Sequence, residues 1–181
     1  MNPKSPSGGE HASSASDEAV PVASLRIADL AALSAAIASA NVPAALFQAI
    51  ERIAAARMGV TIFSASRCFV DTVELERIYS SRPDVYPVGS RKSKQQTNWA
   101  KYVLKERQVF VGEGPLEMAA AFDDQERMAS LGVRSIINVP VVIGDRIAGV
   151  LNFARGETRV QAQDLALGRL LGIVATAAFV T

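Results

Sequence analysis

The sequence predicts a single α+β domain, and three observations predict it. A pair of β-branched runs from Val133 to Ala154 surrounds a two-residue turn, the first half of the chain shows strand-like alternation, and apolar stripes at helical spacing occupy both ends. At 181 residues the chain suffices for one core of ordinary size and is cramped for two. Residues 1–23 are rich in Ser, Gly, Pro and charge without apolar periodicity, so they are expected to be a disordered tail, with residues 24–181 forming the domain.

The elements follow in order. Leu30, Leu33 and Ile37 recur at spacings of three and four and predict a first helix. Asn41 as a cap, Pro43 in the first turn, the apolar set Leu46, Phe47, Ile50 and Ile53, and Gly59 as a stop predict a second. Val60 to Ala65 reads as a strand. Thr72 to Tyr79 sets Val73 and Leu75 against Glu74 and Glu76, the pattern of a strand buried on one face, and the two strands are expected to pair. Ser81 to Thr97 is a long loop with Pro83, Pro87 and Gly89. Thr97 caps a helix from Asn98 to Glu106, a short strand spans Val109 to Val111, and Pro115 to Phe122 and a segment capped by Asp123 are short helices ending at Gly132. Val133 to Ile143 and Arg146 to Ala154 form a hairpin on Gly144-Asp145, and Val160 to Val180 is a closing helix.

Composition excludes several chemistries. Cys68 is the single thiol and His11, in the expected tail, the single imidazole, so an internal disulfide, a Cys/His zinc site and a Ser-His or Cys-His pair are not available. No metal site and no catalytic residues are expected. A net charge of +1 offers no general attraction for nucleic acid. The first twenty residues lack the apolar run of a secretory signal, and the two most apolar stretches carry charges or are too short to span a bilayer, so a cytoplasmic protein is expected.

Gly132 to Val141, Gly144 to Phe153 and Asp164-Leu165 together resemble the C-terminal half of a GAF domain. Tyr79-Ser80-Ser81, Tyr86-Pro87-Val88-Gly89 and Thr97-Asn98-Trp99 extend the resemblance to small stand-alone bacterial GAF proteins over roughly Leu25 to Phe179. The resemblance implies a central antiparallel sheet with long terminal helices on one face and, on the other, a ligand pocket roofed by the middle loop and short helices. It implies a sensory or regulatory domain for signal transduction, with ligands in the family that include cyclic nucleotides, tetrapyrroles, haem and small metabolites. Bilin-type members need a Cys beside a His, and cyclic-nucleotide members an Asn-Lys pair leading to Phe and Asp-Glu; neither pattern is present here. A reductase acting on methionine sulfoxide is the enzymatic alternative, although such members use several cysteines. An interaction scaffold without ligand is a third reading. The cofactor is left unknown.

The candidate site rests on the loop and its flanks. Tyr79, Tyr86 and Trp99 supply aromatic walls and Arg91, Lys92 and Lys94 polar groups, within a segment, Arg82 to Arg107, in which seven bases face Asp84 and Glu106, so an anionic ligand is expected. The competing reading is a solvated basic loop with Trp99 in the core. Asn138 and Asn152 are amides in strands that otherwise read as buried, and each needs a partner. A plain two-residue turn puts them on opposite faces of the hairpin; a β-bulge at Gly149 brings both to the pocket face, and that bulge is expected. The Ala-rich terminal helices are apolar nearly all round, which predicts a homodimer through them.

Overall fold

In a computed structural model, residues 25–180 are described; the tail expected over residues 1–23, His11 within it, lies outside them. Six antiparallel strands form one sheet in the order β3-β2-β1-β6-β5-β4, with β1 Val60–Phe69, β2 Glu74–Ser80, β3 Arg91–Ser93, β4 Phe110–Glu113, β5 Ser135–Ile143 and β6 Arg146–Arg155. The helix α2, Val42–Met58, and the closing α6, Ala162–Ala175, cover one face, and α1, Ile27–Ile37, packs on α2. The loop from Ser81, the short α3 at Asn98–Ala100 with a π turn over Lys101–Lys105, and the helices α4, Gly114–Ala121, and α5, Gln125–Ser130, lie over the other.

The helix-side core is the larger. Leu46, Phe47, Ile50 and Ile53 of α2 meet Phe63 and Ala65 of β1, Val139 and Val141 of β5, Leu151 and Phe153 of β6, and Leu167 and Leu171 of α6. The small residues of α6 serve this contact: a Cβ at Gly172 falls 2.8 Å from Val139, so the helix lies close on β5 only with glycine there. Gly59 ends α2 at a φ of 63°, as its position after Arg57 predicts. The stripe expected on α1 is not a buried one. Leu33 and Ala36 face α2, while Leu30 and Ile37 are exposed, because α1 covers only the outer side of α2.

Two ends of the sheet are fastened by polar contacts. Arg155 at the end of β6 is buried and donates from Nε to the Met58 carbonyl at 2.6 Å and from Nη1 to that of Arg159 at 2.8 Å. It also pairs with buried Asp164 in the first turn of α6 at 3.1 Å. Asp29, whose carboxylate accepts from the Arg26 amide and pairs with Arg57 at 3.0 Å, pins α1 to the last turn of α2.

The hairpin bears the expected bulge. Asn138 pairs with Asn152 and Val141 with Gly149, but Val142 pairs with Ile147, leaving Ala148 as the extra residue beside Gly149. Gly149 is required on space: a Cβ there falls 2.3 Å from both the Phe179 ring and the Ser66 carbonyl. A second bulge was not expected. Ala65 pairs with Tyr79 and Ser66 with Arg77, so Ile78 is extra in β2. The loop from Ser81 to Thr97 is likewise shorter than expected, since Arg91–Ser93 pairs with Glu74–Glu76 as β3. Asn41 and the residue before α5, Asp124 rather than Asp123, occupy cap positions without a side-chain capping bond.

Candidate ligand-binding site

Between the sheet and its roof lies a cavity of about 310 Å³. Its floor is built by strand alternation. Ile62, Ser64 and Ser66 of β1, Leu75 and Arg77 of β2, Ile136 of β5 and Asn152 and Ala154 of β6 point into it, while the intervening Phe63, Ala65, Ile137, Leu151 and Phe153 enter the helix-side core. Val85, Tyr86 and Pro87 from the loop, Lys92 and Lys94 from β3 and beyond, Trp99 of α3, and Phe122, Asp124, Arg127 and Met128 around α5 close it.

Four of the expected residues reach this cavity: Tyr86, Arg91, Trp99 and Asn152 line it. Asn138 stands one layer behind. The Trp99 indole N–H donates to Asn138 Oδ1 at 2.8 Å, Asn138 Nδ2 donates to Asn152 Oδ1 at 2.8 Å, and Asn152 Nδ2 donates to Ser64 Oγ at 3.2 Å. This relay crosses β5, β6 and β1 and couples the roof to the floor. It satisfies both amides through each other, which the bulge at Ala148 and Gly149 makes geometrically available. Trp99 is therefore both buried and part of the cavity wall.

Tyr79 goes elsewhere. It packs against Phe47 and Phe63 on the helix side and donates its hydroxyl to Glu51 at 2.6 Å. By alternation it would share a face with Leu75 and Arg77, but the extra residue Ile78 reverses the facing of everything after it. Arg91 sits at the rim, paired with Glu76 at 3.0 Å and stacked on Phe69.

The basic loop residues Arg91, Lys92 and Lys94 supply three of the cavity's charges, and Arg77 and Arg127, outside the expected set, supply two more. Five bases and one acid line it. Lys92 pairs with that acid, Asp124, at 3.1 Å. Lys94 is 7% exposed and lies 5.2 Å from the Trp99 ring centroid and 5.5 Å from that of Phe122; among the described residues its ammonium has no carboxylate or hydrogen-bond partner. Burial, reinforced by Lys92 and only partly offset by Asp123 and Asp124, pushes its pKa below the usual lysine value. Arg77 stacks over Tyr86 and spends Nη1 on Ser90 Oγ at 2.7 Å and the Pro87 carbonyl at 3.3 Å. Its Nε and the Tyr86 hydroxyl are buried without partners among the described residues. Burial lowers the Arg77 pKa and, with Asp124 nearby, raises that of Tyr86. One signal for Arg77 was present in the sequence: it follows Leu75 by two, at the inward parity of β2.

Cys68 lies on β1 opposite Leu75, outside the cavity lining, and burial raises its thiol pKa. Among the described residues, His, Cys, Asp and Glu side chains nowhere gather in a group of three that would hold a metal ion. Nor is any described helix long and apolar enough to cross a membrane.

A six-stranded antiparallel sheet with its long helices on one face and a roofed cavity on the other defines a GAF-type α+β domain. The GAF domain family model matches residues 43–180, and the chain belongs to that family. Solved structures agree in fold. The GAF domain of a phosphoenolpyruvate-protein phosphotransferase from Coxiella burnetii is 17% identical with a TM-score of 0.66, over 84% of this chain and 92% of that one. The GAF domain of a two-component sensor histidine kinase from Bacillus halodurans is 17% identical with a TM-score of 0.58, over 72% and 91%. A phycoerythrobilin-bound GAF domain from a cyanobacterial phytochrome is 16% identical with a TM-score of 0.61, over 85% and 94%. Comparison with curated proteins gives no match.

Proposed function

We propose that this GAF domain is a small-molecule-binding sensory or regulatory module, cytoplasmic, whose ligand is an anion. The observation that carries this reading is Lys94: a cation buried between two aromatic rings, on a cavity wall, with no ion-pair partner among the described residues and with Asp123 and Asp124 acting on it only from further off. A protein that keeps such a charge at a cost to stability, in a cavity of ligand size, gains from an incoming anion what its own residues do not supply. Arg77 and Arg127 add positive charge to the same walls.

The reductase alternative finds no support in Cys68, whose burial raises its pKa and which does not line the cavity. Outward-facing apolar residues favour a homodimer: Ile27 on α1 is 87% exposed and Ile173 on α6 is 67% exposed, and we place a second copy of the chain over them.

Native mass spectrometry of the purified protein, followed by thermal-shift titration with size-matched acidic and neutral metabolites, tests the ligand reading. A retained anion, or a melting-temperature rise confined to acids, is expected. Equal responses to acids and neutral compounds would contradict it.

A further inference from the structure

The cavity is graded from one end to the other, and the gradient follows the strand register. Ile62 pairs with Ala154 and Ala154 with Ile136, giving an apolar row across β1, β6 and β5 that Met128 and Val133 cover. One step along the strands, Ser64 pairs with Asn152 and Asn152 with Asn138, a row of hydroxyl and amides. One step further, Ser66 pairs with Arg77. Arg77 thus rises from the floor two rows from the apolar end, and Lys94, whose amide donates to the Val73 carbonyl, enters from further along the same direction.

The chemistry at each end is specific. Arg77 is held by Tyr86, Ser90 and Pro87 through its ring stack and Nη1, so among the described residues the Nε and Nη2 edge of its guanidinium carries no hydrogen bond. Nη2 is thus left for a carboxylate, while Nε, shut off from water, joins it in a two-bond fork only after a small shift of the side chain. Lys94 brings a second, compact charge that forms no ion pair among the described residues. At the other end Ile62, Ile136 and Ala154 offer no polar side-chain atom, and hydrating such a surface with a polar ligand group gains nothing.

We propose that the ligand is an amphipathic monocarboxylate, its carboxylate gripped by Arg77 and Lys94 and its aliphatic or aromatic body lying on Ile62, Ile136 and Ala154. This rests on the anion-binding reading of the cavity and narrows it. A volume of about 310 Å³ holds a compact body of this kind and is small for a tetrapyrrole.

Calorimetric titration of the full chain with linear acids from butyrate to decanoate, phenylacetate, their neutral amides, acetate and inorganic phosphate tests it. The expected result is saturable binding of at least one acid with a body, with its amide and acetate each weaker by roughly ten- to hundredfold. Lys94→Met and Arg77→Met remove the preference for acid over amide; Lys94→Arg retains it, and the exposed Lys101→Met leaves it unchanged, which separates loss of the site from loss of fold or net charge. Acetate or phosphate binding as tightly as the best acid would overturn the amphipathic assignment while leaving an anion site standing. Amides binding as tightly as acids would overturn both. If no monocarboxylate binds, this proposal fails, and the anion reading is then decided by the mass of any ligand retained in native mass spectrometry.

Discussion

Burying an ammonium group between two rings without an ion pair costs stability, and Lys94 makes that cost measurable. Its folded pKa lies below the ordinary lysine value, so between the two the unfolded chain holds more protons than the folded one. Stability therefore rises with pH through that window. Lys94→Met is expected to abolish this alkaline rise and to raise the melting temperature of the ligand-free protein; a gain of 1 kcal/mol corresponds to about 2–4 °C for a domain of this size. Stability curves of both proteins between neutral and alkaline pH check it, and a Lys94→Met protein less stable at neutral pH would contradict it. Asn138 is costly in the opposite sense. Asn138→Ala orphans the Trp99 indole N–H and the Asn152 amide oxygen, at about 1–3 kcal/mol for each group left without a partner, read by chemical denaturation.

At the scale of elements, two bulges decide which side chains meet. The one at Ala148 was legible, because Asn138 and Asn152 share a face only if the register slips, and Gly149 marks where it can. The one at Ile78 left no such mark: nothing in Glu-Arg-Ile-Tyr distinguishes a regular strand from a bulged one, and Tyr79 was therefore assigned to the wrong face. Lys94 is legible as one of the basic residues of the candidate loop, but its burial between Trp99 and Phe122 is not, because the path of that loop over the sheet depends on contacts distant in sequence. The helices and most strands were legible because their periodicity reports a nearby core. Gly149→Ala, placed against Phe179 and the Ser66 carbonyl, is expected to cost at least about 1–3 kcal/mol in denaturant unfolding, and a neutral effect would show that the bulge tolerates a side chain. Arg155→Met strands the buried Asp164 carboxylate between β6 and α6 and is expected to cost about 3–5 kcal/mol by the same measurement.

For the whole molecule, the division of labour runs across the sheet. The helix side holds the larger core and the outward apolar faces of α1 and α6, while the opposite side holds the cavity, and the relay from Trp99 to Ser64 lies within the cavity side. Light scattering at micromolar concentration is expected to give a dimer that Ile27→Glu with Ile173→Glu converts to a monomer; a wild-type monomer would contradict the proposed assembly. The claim on which the rest depends is that the cavity takes an anion through Lys94. Parallel titrations of the wild-type chain and Lys94→Met with an acid and its neutral amide test it most directly. Wild type is expected to prefer the acid and Lys94→Met to bind both alike, whereas the same acid preference in both proteins would contradict the claim.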